Sequence, residues 1–245
     1  MRLPSLTSAK TNDKLLSMRR KEKTQLFDEW PEAYDKWFTT SIGSLIRKVE
    51  AELMLDLLRP AQGEIILDAG CGTGIFTLET LSAGSRVIGL DLSFPMLVQA
   101  GRKLEGYPFL RVSGDMLHLP FPRGAFDKVV SVTALEFIEN GKEAVGELFR
   151  VTKRGGCIVV ATLNSLSPWV LRRAVEAKEG HSLFAKAIFR SPDELRSLTS
   201  ADGVVRTAVH FQKGEEPEKA VAIEDEGKRR GLDTGAFVAA RWEKK

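Results

Sequence analysis

The residues of this 245-residue chain best placed to do chemistry gather around a glycine loop. A short apolar run over residues 64–69 leads into Asp68-x-Gly70-x-Gly72-x-Gly74, and Ile75, Phe76, Leu78 and Leu81 then read as a helix. A strand that turns through glycines into a helix lets backbone approach a ligand closely, with the first helical amides facing it. Spacing separates the chemistries that use such a loop. A dinucleotide site wants Gly-x-Gly-x-x-Gly, which would put a small residue at position 75, where this chain has Ile75. A P-loop needs Gly-Lys followed by Ser or Thr, and none is present. Residues able to serve as a base are few: Glu136, with Glu139 nearby, and His118. His181 and His210 fall in the last third, where surface or core placement is expected. Two cysteines, Cys71 and Cys157, and three histidines make neither a disulfide framework nor a four-ligand zinc site, so no metal is expected.

The elements that must position these groups alternate. Aromatic-rich residues 27–38 and an apolar stripe from Ile42 to Leu58 read as two helices, the second stopped by Pro60. Residues 64–69, 86–90, 109–112, 126–132 and 157–163 read as strands, with helices over 95–104 and up to Arg150, and a turn at 153–156. That alternation predicts a parallel sheet covered on both faces. Beyond it, residues 168–187 read as a helix, Ser191 as a helix cap, and 204–211 and 236–242 as strands. The charged, glycine-bearing stretch 212–235 between them reads as a long hairpin connection.

Composition sets the outer bounds. Hydrophobic residues make up 43% and charged residues 28%, the balance of a globular core, and no apolar run is long enough to span a membrane. The first 23 residues carry seven Lys or Arg against two acids, while the whole chain is only +3. A basic arm of this kind touches anionic partners or stays solvated. It has no aromatic before Phe27 on which bases could stack, so nucleic acid is not the expected partner. It lacks the apolar stretch of a secretory signal, and a reducing cytoplasm is the expected location.

Four motifs in order carry a family resemblance: residues 66–74 (ILDAGCGTG), 87–91 (VIGLD), 114–121 (GDMLHLPF) leading into Phe126-Asp127, and 148–156 (LFRVTKRGG). Together they resemble the class I S-adenosylmethionine-dependent methyltransferases, in particular the type 11 members similar to ubiquinone and menaquinone biosynthesis enzymes. The resemblance implies an α/β, three-layer Rossmann-like fold with a seven-stranded, mainly parallel sheet in the order 3-2-1-4-5-7-6 and an N-terminal helical cover. Within one domain over 25–245, following the basic leader 1–24, it implies a cover at 25–60, a cofactor-binding core at 61–163, and substrate-side helices with a C-terminal hairpin at 164–245.

The implied cofactor is S-adenosyl-L-methionine, leaving as S-adenosyl-L-homocysteine. Asp91 would take the ribose hydroxyls and Asp115 the adenine amino group. Leu92 and Met116 would flank the adenine, with Met116 offering its amide. Asp68 would order Gly70, Cys71, Gly72 and Gly74 through backbone amides and help hold the methionine amino group. Tyr34 would reach in from the cover, and Thr133 would line the same site. The Asn- or Asp-Pro-Pro-aromatic sequence of amino-methyltransferases is replaced by Ser131-Val-Thr-Ala-Leu135. A small-molecule acceptor is therefore expected, with a cofactor-binding regulator or assembly protein, or a tRNA or protein methyltransferase, as the alternatives.

Overall fold

In a computed structural model, which describes residues 25–170 and 186–245, apolar runs become strands with both faces covered. Successive residues point to opposite sides of a sheet, and the chain uses both. Ile66, Val130 and Val159 join one buried cluster, while Leu67, Val129 and Val160 join another. This is why the central strands read as continuous apolar runs. The strands are β1 (Ile65–Ala69), β2 (Arg86–Asp91), β3 (Phe109–Ser113), β4 (Phe126–Val132), β5 (Thr152–Leu163), β6 (Gly203–Ala208) and β7 (Phe237–Glu243). They form one sheet in the order β3-β2-β1-β4-β5-β7-β6, with β7 antiparallel to both neighbours. That is the expected order.

Helices α1 (Pro31–Trp37) and α2 (Ser41–Leu58) precede the sheet, α3 (Thr77–Ser82), α4 (Phe94–Lys103) and α5 (Gly141–Val151) connect its strands, and α6 (Pro192–Arg196) follows β5. Local chemistry sets their ends. Thr40 caps α2, which stops at the left-handed Arg59 before Pro60. Ser93 caps α4, and Ser191 and Glu194 form a reciprocal capping box on α6.

Three expectations are corrected. Residues 212–235 are not a plain hairpin connection: α7 (Pro217–Arg230) fills most of them, with Pro at its start and left-handed Gly231 at its end. Its few apolar residues hid it, yet Ala220 is buried in the core and Ile223 packs beside it. The helix after the glycine loop starts only at Thr77, leaving Ile75 and Phe76 in the loop. The turn expected at 153–156 is an irregularity within β5, whose register against β4 jumps from Phe126↔Thr152 to Lys128↔Cys157. The basic leader and most of the helix expected over 168–187 lie outside the described residues. Among the described residues no helix is long and apolar enough to cross a membrane.

Candidate active site

The carboxyl ends of β1, β2 and β4 open onto a cavity of about 260 Å³, the position at which open α/β sheets take ligands. One wall is the glycine loop. Gly70 and Cys71 both donate their amides to the Leu90 carbonyl, at 2.7 and 3.0 Å, which folds the loop back onto β2. Gly70 has φ +79°, and a Cβ there would come within 2.3 Å of the Ala134 Cβ. Gly72 has φ +53° but faces open space, with nothing within 4 Å of an added Cβ. Gly70 is therefore required by the protein's own packing, and Gly72 leaves room in front of the loop.

Three acids stand around that room. Asp91, at the end of β2, accepts from the Gly72 amide at 2.8 Å and the Ser93 amide at 2.9 Å. Burial pushes its carboxyl above the usual range, while those amides pull it back. Asp68 is buried and accepts from the Thr77 hydroxyl at 2.6 Å. Burial raises it to about 7, Thr77 opposing and the Asp91 charge adding. The loop amides expected on Asp68 are taken by the Leu90 carbonyl, for Gly70 and Cys71, and by Asp91, for Gly72, while Asp68 accepts from Thr77 at the start of the helix behind the loop. Asp115 accepts from the Leu117 amide at 2.9 Å and caps the short helical turn Met116–His118.

Ten of the eleven residues expected at the cofactor line this cavity: Tyr34, Asp68, Gly70, Cys71, Gly72, Asp91, Leu92, Asp115, Met116 and Thr133. Gly74 does not. It sits behind the wall, where a Cβ would meet Leu104 at 2.8 Å. The Tyr34 hydroxyl lies 3.5 Å from that of Thr133, and burial pushes its phenol well above the ordinary value. Thr133 takes a left-handed φ of 47°, unfavourable for a β-branched residue and characteristic of functional turns.

The two expected base candidates stand elsewhere. His118 is exposed and outside the cavity walls. Glu136 is only 1% exposed and points inward, accepting from the Thr162 hydroxyl at 3.0 Å, while its neighbours Phe137 and Ile138 line the cavity. Glu139 is exposed and likewise absent from the walls.

Sequence reasoning missed the groups that hold the other wall. Gln25, Leu26 and Phe27 line the cavity, and Phe27 meets Phe137 edge-to-face at 4.8 Å. Asp28 accepts from the Ser93 hydroxyl at 2.7 Å. Buried Arg190 donates to the carbonyls of Leu135 and Ile138, at 3.0 and 3.1 Å, fixing the turn that presents Phe137. These pairs lie tens of residues apart in sequence, and no local pattern signals them.

Comparison with known proteins settles the family. Residues 67–160 match the model of a methyltransferase domain. The chain is 31% identical over 187 residues to a malonyl-[acyl-carrier protein] O-methyltransferase of Pectobacterium atrosepticum, covering 67% of this chain and 73% of that one. The chain belongs to the methyltransferase family. It is also 32% identical over 168 residues to a demethylmenaquinone methyltransferase of Thermobifida fusca, covering 60% of this chain and 71% of the relative. A solved Thermotoga maritima methyltransferase, described as a possible histamine N-methyltransferase, shares the fold with a TM-score of 0.68 at 22% identity, covering 90% and 98% of the two chains. This methyltransferase uses S-adenosylmethionine. Its walls suit that cofactor: open space before Gly72, a carboxylate at the end of β2, and apolar Leu92 and Met116 beside it.

Proposed function

We propose that this methyltransferase transfers a methyl group to a small, largely apolar acceptor held between the glycine-loop wall and the segment 25–38. The observation that carries the reading is that Leu26, Phe27, Phe137 and Ile138 line the cavity together with Tyr34, and that Phe27 packs edge-to-face on Phe137. An apolar enclosure with one or two polar atoms suits a planar or lipid-like molecule. The relative named a demethylmenaquinone methyltransferase supports an apolar ring acceptor. Two buried free cysteines suit the reducing cytoplasm.

The bound cofactor supplies an activated methyl on a sulfonium, so the residues here chiefly bind, orient and exclude water. Asp91 would hold the ribose hydroxyls, Leu92 and Met116 the adenine faces, Asp115 the adenine amino group, and Asp68 the methionine amino group. Among the described residues the titratable groups on the wall are Tyr34, Asp68, Cys71, Asp91 and Asp115. Tyr34 is kept protonated by burial, so it donates to or orients the acceptor and is no base. Alignment alone can supply about 7–11 kcal/mol of barrier reduction.

The test is a product screen by mass spectrometry, with labelled S-adenosylmethionine offered against quinols, phenols, amines and carboxylates. Labelled product confined to apolar ring or long-chain acceptors is expected. Turnover only on polar amines or on tRNA would overturn the reading.

A further inference from the structure

Segment 25–38 and the glycine loop share one carboxylate. Asp35 Oδ1 accepts from the Thr73 hydroxyl at 2.6 Å and from Lys103 Nζ at 2.7 Å, and Oδ2 accepts from Gln99 Nε2 at 3.3 Å. Lys103 Nζ also donates to the Thr73 hydroxyl at 3.1 Å, closing a triangle. Thr73 is fully buried between Gly72, which faces the cavity, and Gly74, which is pressed against Leu104. Asp35 itself follows Tyr34, whose ring is on the opposite wall.

The placement has a consequence for binding. Thr73 has no side chain in the cavity, and neither has Asp35 or Lys103. Yet the Asp35–Thr73 bond fixes the distance between the two walls at one point, and the neighbours on each side, Tyr34 and Gly72, face the ligand. A partly buried ion pair adds little net stability, because desolvation offsets the Coulomb gain; an apolar contact would pack as well. What a charged, bifurcated contact supplies is register. Burial pulls the Lys103 ammonium below its ordinary value, and Asp35 holds it up, so the pair depends on its own geometry.

We propose that Asp35 is a positioning residue that couples segment 25–38 to the glycine loop through Thr73, so that the cofactor site is complete only when that contact is made. It acts on S-adenosylmethionine through its neighbours and touches neither cofactor nor acceptor. The inference rests on the cofactor occupying this cavity, and the experiment separates the two claims.

Calorimetric titration with S-adenosylhomocysteine is run on wild type, Asp35→Ala, Asp35→Asn, Thr73→Val and the Asp35→Ala/Thr73→Val double variant, with thermal melts of each. Asp35→Ala and Thr73→Val should each weaken binding by about tenfold or more, the loss expected for a hydrogen bond to a charged group. The double variant should be no weaker than the worse single one, since both remove the same contact. Asp35→Asn keeps an oxygen for the Thr73 hydroxyl and should recover most of the affinity. Melting temperatures should rank differently from affinities, which a merely structural role would not produce. Asp35→Ala binding within about twofold of wild type, or losses that add across the two positions, would overturn the coupling. Wild-type protein that binds no S-adenosylhomocysteine would overturn the assignment of the cavity, and the coupling with it.

Discussion

The two walls of the cavity are held by different kinds of bond. On the strand side, backbone does the holding: the Gly70 and Cys71 amides on Leu90, the Gly72 and Ser93 amides on Asp91, and the Leu117 amide on Asp115. On the side of residues 25–38, side chains do it: Asp28 on Ser93, Asp35 on Thr73 and Lys103, Phe27 on Phe137. A wall built on backbone demands glycines and acids at set spacings, whatever the acceptor. A wall built on side chains can be rebuilt residue by residue, so acceptor choice can change there as long as the Asp35–Thr73 contact is kept. The match to the methyltransferase domain model covers only the first kind, residues 67–160.

Substitutions at the strand-side wall should separate fold from binding. Gly70→Ala adds a Cβ 2.3 Å from Ala134 at φ +79° and should cost about 3 kcal/mol of stability in urea denaturation, from strain and overpacking together. Gly72→Ala meets nothing within 4 Å and should cost about 1 kcal/mol, while still weakening cofactor binding. Equal stability losses at the two positions would erase the distinction between a glycine needed by packing and one needed by the ligand.

Asp91→Ala removes the acceptor of two loop amides as well as the proposed ribose partner. Affinity for S-adenosylhomocysteine, read by calorimetry, should fall by about a hundredfold. A loss as small as that for a side-chain contact on the other wall would break the comparison.

Asp68 supplies a pH test. Its carboxyl is raised from 3.8 to about 7, so the folded protein holds a proton there that the unfolded chain releases. Stability without cofactor should therefore fall as pH rises through that window, and Asp68→Asn should flatten the slope. Binding runs the other way: facing a cationic amino group requires the ionised acid. Affinity should rise roughly tenfold between pH 6 and pH 8 in the wild type and not in Asp68→Asn.

The smallest effect belongs to the other wall. Asp28→Ala removes the partly buried bonds from the Ser93 hydroxyl and the Gln25 amide and should weaken S-adenosylhomocysteine by about threefold. A loss approaching that of Asp91→Ala would mean that both walls are cofactor walls.

How much was legible in the sequence follows the same division. The central strands and the glycine loop were readable because strand runs, glycine spacing and the acids ending β2 and preceding Met116 are local, and the sheet order followed from the family resemblance that these motifs carry. The helix α7 carried signals too, Pro217 at its start and Gly231 after its basic last turn, but too few apolar residues to show a stripe. The Asp35–Thr73–Lys103 triangle was not legible, because its members meet only when α4 packs beside α1. Glu136 misled because the short helical turn Leu135–Phe137 buries its side chain against Thr162 while Phe137 lines the cavity, which chain order does not reveal.

The most direct test of the strand-side wall as the cofactor wall is a crystal structure of the complex with S-adenosylhomocysteine. The expected result has the ribose hydroxyls on the Asp91 carboxylate, the adenine between Leu92 and Met116, and Gly72 against the ligand. A nucleoside bound away from Asp91, with the space before Gly72 left open, would contradict it.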